Sequence, residues 1–165
     1  MTACPVPWQA RRVMNSGKLT PMELALDEAR EAAARDEVPV GAVLLMDGKV
    51  IASNGNRTRQ LLDPTAHAEM LVIREAAQVL GQERLTGADL YVTLEPCAMC
   101  AAAISHARIR RVYFAAGDPK MGAVTHGPRF FDQPTCHHAP EVYDGIGERD
   151  ASALLKAFFA GKRGA

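Results

Sequence analysis

Two short stretches carry the chemistry-bearing side chains of this chain: Thr65-Ala66-His67-Ala68-Glu69 and Pro96-Cys97-Ala98-Met99-Cys100. Between them they supply one imidazole, two thiols and one carboxylate. Catalytic zinc sites take three protein ligands and keep a fourth position for water, whereas structural sites close with four. His67, Cys97 and Cys100 make three, and Glu69 stands beside them as a proton carrier. Zinc lowers the pKa of a water from 15.7 toward ~7, so the set reads as a hydrolytic centre for neutral pH. A lone C-x-x-C would say little, because redox motifs and zinc ribbons share it. The upstream H-x-E and a proline directly before Cys97 narrow the reading. The competing one is a structural clip closed by Cys136 or His137, which leaves Glu69 without a task.

For these groups to meet, local structure must be of one kind. Cys97 and Cys100 are i and i+3, on one helix face. Pro96 suits a first turn, where unpaired N–H groups and the positive dipole end favour thiolates. His67 and Glu69 are i and i+2 and would point apart in mid-helix. They converge only if a helix begins near His67, and Asp63-Pro64-Thr65 supplies stop-and-cap chemistry there. Two helix N-termini would then face one ion.

The elements around these stretches follow from pattern. Thr20-Pro21-Met22-Glu23 is a capping box with proline at the first helical position, opening a helix to about Arg35 with Met22, Leu26, Ala29 and Ala33 on one face. Residues 38–46 and 49–53 are strands joined by Asp47-Gly48, a type I′ hairpin signal. Residues 54–63 read as a polar loop and 66–80 as a helix. A strand at 90–94, a helix at 98–106 and a strand at 111–115 follow. Residues 117–140, rich in glycine and proline, read as a long loop. Residues 141–146 add an edge strand, and 147–162 a closing helix carrying Leu154, Leu155, Phe158 and Phe159. Alternating strands and helices predict an α/β domain whose sheet is mostly parallel after its hairpin. Residues 1–19 read as a mobile leader and 20–165 as a single domain.

Composition excludes more than it selects. The 165 residues, 48% hydrophobic, suit one domain with a real core. Nineteen basic and nineteen acidic residues cancel, so no global field advertises nucleic acid. No run approaches the ~18 apolar residues of a membrane span, and no secretory signal is legible, so the expected compartment is cytoplasmic. Four cysteines then read as thiols or ligands rather than disulfides. Cys4 lies in the leader.

Further side chains have both an ordinary and a functional reading. Arg108, Arg110 and Arg111 form the densest basic cluster, either a solvated helix end or phosphate contacts. Phe158 and Phe159 are core, or one of them flanks a base. Asn56 is turn chemistry, or an amide that reads a base edge. His106 reads as a helix cap or surface group, His126 as a solvated loop histidine, and Cys136-His137-His138 as local packing.

H-x-E followed by P-C-x-x-C is the signature of zinc nucleobase deaminases. The likeness extends through Val38-Pro39-Val40-Gly41-Ala42-Val43, Gly55-Asn56-Arg57, Asp63-Pro64-Thr65, Leu90-Tyr91-Val92-Thr93-Leu94-Glu95, Ala107-Arg108-Ile109 and Asp118-Pro119-Lys120. With these segments the chain resembles the bacterial tRNA-specific adenosine deaminases of the cytidine-deaminase-like zinc family, over about residues 22–163. The resemblance implies a three-layer α/β/α fold with a central mixed sheet, one zinc ion per chain and a homodimer. It implies conversion of the wobble adenosine of an arginine tRNA to inosine, with the tRNA anticodon stem-loop as partner. Glu69 would take a proton from water, pass it to the ring nitrogen and later protonate departing ammonia. Asn56 would hold the base, Asp118 and Lys120 would lie on the RNA-facing loop, and the last helix would close the anticodon pocket. The chain departs from the family pattern at Gly127-Pro128-Arg129-Phe130-Phe131 and Thr135-Cys136-His137-His138-Ala139-Pro140, where no contact is carried over. Two rivals remain at this level: a deaminase of free guanine, cytosine or a nucleoside, and a non-catalytic zinc module that only binds RNA or protein.

Overall fold

A computed structural model describes residues 19–164; the expected leader, except Leu19, and Cys4 lie outside them. Helix α1, Pro21–Ala34, opens on the capping box: Thr20 Oγ1 accepts from the Glu23 N–H, and Glu23 Oε2 accepts from the Thr20 N–H at 2.7 Å. Its buried face is Met22, Ala25, Leu26, Ala29 and Ala32 rather than one reaching Ala33, because the helix crosses two close glycines as well as the apolar sheet. Strands β1, Gly41–Met46, and β2, Lys49–Gly55, pair antiparallel. Asp47 and Gly48 between them have φ of 50° and 73°, as a type I′ turn requires.

β1 starts later than its apolar run suggests. Pro39 has no N–H to donate, and the Val40 N–H turns back to the Val38 carbonyl at 2.8 Å. The stretch expected as loop at 54–63 also differs. Asn54 and Gly55 finish β2, and Thr58–Leu61 forms one helical turn, α2. Buried Glu37 holds that turn: its carboxylate accepts from the Gln60 N–H at 2.8 Å, the Arg59 N–H and the Thr58 hydroxyl.

Helix α3, Ala68–Leu80, strand β3, Asp89–Leu94, helix α4, Ala98–His106, and strand β4, Arg111–Ala116, follow within a residue or two of expectation. A 3₁₀ turn at Phe130–Asp132 interrupts the long loop, then come edge strand β5, Glu141–Asp144, and helix α5, Glu148–Arg163.

The sheet order is β2-β1-β3-β4-β5. β1 and β3 pair antiparallel, so the sheet is mixed, and parallel only from β3 to β5. Alternation along the strands sorts two cores. Ala42, Leu44, Leu90, Val92, Val112 and Phe114 face α3 and α4, with Val72, Ala76 and Ile104. Val43, Leu45 and Ala115 face α1 and α5, with Met22, Leu26 and Ala151. The result is the three-layer α/β/α arrangement. Among the described residues no helix is long and apolar enough to cross a membrane.

Pairing also defines one functional end of the sheet. The start of β1 and the ends of β3 and β4 lie together, and the Gly41 N–H donates to Thr93 Oγ1 at 3.1 Å there. Open α/β sheets bind ligands outside the carboxyl ends of their strands.

Candidate metal centre

The two signature stretches meet at that end as two helix N-termini. His67 is the N-cap of α3 and Cys97 the N-cap of α4, both extended, with ψ of 154° and 174°. Neither side chain caps its own helix. His67 Nδ1 lies 3.7 Å from Cys97 Sγ and 3.5 Å from Cys100 Sγ. The three donor atoms all fall within 4.8 Å of one another, the one such grouping among the described residues. Glu69, in the first turn of α3, is 4% exposed.

The capping role that His67 leaves open is filled from elsewhere. Asn56 follows β2 directly, its N–H donates to the Val40 carbonyl at 3.0 Å, and its Oδ1 accepts from the Ala68 N–H at 2.8 Å. That bond fixes the Asn56 amide against the first turn of α3, where His67 and Glu69 flank Ala68. Asp63 stays local instead of capping α3: its Oδ1 accepts from the Thr65 N–H and hydroxyl at 2.8 and 2.7 Å.

The protein groups polarise one another. The Cys100 thiol donates to Cys97 and, despite burial, brings the Cys97 pKa down to about 4, with His67 adding to the effect. Cys100 is pushed up by that same hydrogen bond, by burial and by Glu69. The Cys97 partner raises His67 against the effect of burial. Burial lifts Glu69 to about 7, its own N–H and His67 offsetting part of the rise. The two thiols share a hydrogen bond that lowers one and raises the other, and a zinc ion bound there would deprotonate both. The donor set, one Nδ1 and two sulfurs at two positive helix ends, fits zinc.

One buried, heavily bonded side chain beside the site was missed in the sequence. Glu95, fully buried, accepts from the backbone N–H groups of Asp118 at 2.8 Å, Val124 at 3.1 Å, Thr125 at 2.8 Å and His126 at 3.0 Å, and pairs with His126 Nδ1 at 2.6 Å. Burial alone would raise its pKa, but these donors draw it down to about 2. A carboxylate closing an apolar strand just before Pro-Cys was the available signal. His126 is therefore a half-buried partner of Glu95 rather than a solvated loop histidine.

The remaining candidates divide. Asp118 lies past β4 at the site end, its Oδ1 accepting from the Lys120 and Met121 N–H groups at 3.0 and 3.1 Å, with Lys120 exposed. Arg108 does not join them. It follows the far end of α4, about 15 Å along the axis from Cys97 at 1.5 Å per residue. Arg110 forks onto Asp89 at 2.9 Å, and Arg111 pairs with Asp89 and Glu141, all at the opposite end of the sheet. Arg110 and Arg111 are thus engaged in ion pairs on this face. Phe158 and Phe159 stack edge to face, 5.4 Å apart, with Lys162 over the Phe158 ring. Lys162 pairs with Asp36 and Asp36 with Arg59, tying the end of α5 to the turn after Asn56. Cys136 meets Ser105 Oγ at 3.5 Å and donates to the His138 carbonyl, while His138 Nε2 meets the Ile109 carbonyl. That packing is local, and Cys136 is not a fourth ligand. His106 is exposed in the last turn of α4.

A family model described as the cytidine and deoxycytidylate deaminase zinc-binding region matches residues 16–116. A tRNA-specific adenosine deaminase of Agrobacterium fabrum is 68% identical over 142 residues, 86% of this chain and 93% of that protein. A structure solved in a study of A-to-I editing by tRNA:A34 deaminases at the wobble position is 69% identical, with a TM-score of 0.81 over 82% of this chain and 98% of that one. A guanine deaminase from Nitrosomonas europaea shares the fold at 23% identity, with a TM-score of 0.73 over 85% of this chain and 83% of that one.

Proposed function

This chain belongs to the cytidine and deoxycytidylate deaminase zinc-binding family, and from that premise we propose that it hydrolyses adenosine to inosine at the anticodon wobble position of tRNA, releasing ammonia. The observation that carries the chemistry is a set of three ligands, not four, with buried Glu69 poised at about 7 beside it. The substrate reading is supported by the relative that is 68% identical and by the tRNA:A34 deaminase structure that is 69% identical, and the family resemblance adds an arginine tRNA as the expected one.

His67 Nδ1, Cys97 Sγ and Cys100 Sγ would hold one zinc ion per chain. Zinc there supplies Lewis acidity that lowers a water's pKa toward ~7. Glu69 takes one proton from the water at a carboxylate oxygen and delivers it to the ring nitrogen, then takes the second from the hydroxyl now on the carbon and passes it to the amine, which leaves as ammonia as the C=O bond forms. Burial, which raises the Glu69 carboxyl above its ordinary range, favours its carrying a proton between the two transfers. Asn56, its oxygen committed to Ala68, offers its NH₂ to an acceptor on the base. Asp118 orders the loop that presents Lys120 to phosphate, and Phe158 or Phe159 flanks the anticodon nucleotides. We read residues 20–165 as one domain, acting as a homodimer in the cytoplasm.

The deciding assay compares an anticodon stem-loop RNA with free adenosine, guanine and cytosine. Turnover of the stem-loop with none on the free compounds is expected. Guanine or cytosine as the preferred substrate would assign the chain to the free-base rival, and no turnover by fully zinc-loaded protein to the binding-module rival.

A further inference from the structure

Glu95 has no role in the proton transfers, yet it is the most heavily bonded buried side chain near the site. It immediately precedes Pro96 and Cys97, and its own N–H donates to the Ala116 carbonyl at 2.8 Å, fastening the ends of β3 and β4 together. Its two oxygens together span both ends of the following loop. Oε2 takes the Asp118 N–H and the His126 ring, while Oε1 takes the N–H groups of Val124, Thr125 and His126. The loop is closed onto the same point from outside. The Ala123 N–H donates to the Pro96 carbonyl at 2.9 Å, and Gly122 bridges to Cys97. Gly122 has no room for a side chain, since a Cβ there would sit 2.5 Å from the Glu95 carboxyl carbon and 2.4 Å from the Asp118 carbonyl oxygen.

We propose that Glu95 is a positioning residue for substrate recognition: it holds the Asp118–Lys120 segment in fixed register with Cys97, so that the phosphate-facing loop and the metal centre engage one RNA together. A carboxylate accepts every one of these donors at once, whereas an amide turns its NH₂ toward some of them, so charge rather than shape keeps the loop closed. The inference rests on the reading of Lys120 as an RNA contact, and the experiment separates the two.

Wild type, Glu95→Gln, Lys120→Ala and the double variant are assayed on one anticodon stem-loop RNA, with zinc per chain measured alongside. Glu95→Gln should raise KM about tenfold with kcat within about twofold and zinc unchanged, one charge-assisted bond being worth that order. Lys120→Ala should raise KM as well, and in the Glu95→Gln background it should add almost nothing, since two residues acting through one contact are not additive. An unchanged KM in Lys120→Ala removes the RNA-contact reading and this inference with it. A raised KM in Lys120→Ala, with fully additive effects in the double variant or a fall in kcat and zinc instead of a rise in KM, removes the inference alone. Should Glu95→Gln not fold, His126→Ala takes its place in the cycle, with a smaller rise in KM and the same lack of additivity expected.

Discussion

A thiol pair three residues apart, one buried and one half-buried beside a carboxylate, splits its titration: Cys97 falls to about 4 while Cys100 is pushed up. A bound cation would favour loss of that second proton, and because Glu69 is not among the three donors, ligand and catalyst separate by mutation. Glu69→Gln keeps all three donor atoms and should bind zinc as wild type does while losing turnover by ~10²–10⁴, the usual worth of a general acid–base. Cys97→Ser removes a donor and should lose both zinc and thermal stability, because metal binding is coupled to folding. Zinc per chain by elemental analysis, set beside activity, checks both. Zinc lost in step with activity in Glu69→Gln would make that residue a ligand.

Among the elements, the convergence of α3 and α4 depends on how closely α1 lies on the hairpin. A Cβ at Gly41 would fall 2.0 Å from the Ala25 carbonyl oxygen and 2.6 Å from the Ala29 nitrogen, and one at Gly55 would fall 2.6 Å from the Glu28 carbonyl oxygen. These obstacles are backbone atoms, which have no rotamer to yield. Gly55 leads into Asn56, whose bond to Ala68 starts α3 beside the metal donors. Gly41→Ala should therefore cost at least the ~1–3 kcal/mol of an overpacked core, because helix and hairpin must part. A denaturant midpoint within error of wild type would show that α1 can shift freely. Since Gly41 also donates to Thr93 next to the site, activity should fall with stability.

Over the whole molecule, zero net charge and the placement of Arg110 and Arg111 in ion pairs leave little basic surface for a polyanion. Recognition of a hairpin must then rest on a few phosphates near Lys120 together with stacking and base-edge bonds. Each phosphate neutralised on a single strand contributes ~0.7 to the salt slope, so log(kcat/KM) for the stem-loop should fall by about 1–2 per decade of salt. A slope of about 4 or more would mean an extensive basic footprint and a different docking face. Arg108→Ala, at the far end of α4, should leave the slope unchanged.

What was legible in the chain by itself was what depends on neighbours in sequence. The H-x-E and P-C-x-x-C halves of the site, the capping box at Thr20, the Asp47-Gly48 hairpin and the bounds of α4 each follow from residues within a few positions of one another, where dihedral preference and side-chain chemistry act directly. Tertiary structure decided the rest, because it rests on polar pairs distant in sequence. Asn56 meets Ala68 across twelve residues, Glu37 meets Gln60 across twenty-three, and Glu95 meets His126 across thirty-one. No periodicity encodes such pairs; the sheet register brings them together, and burial then obliges each carboxylate or amide to find a partner. The same register sends the Arg108–Arg111 cluster to the other end of the sheet, since β4 begins where the site is not. Residue types determined which chemistry was available, and strand order determined which residues stand close enough to perform it.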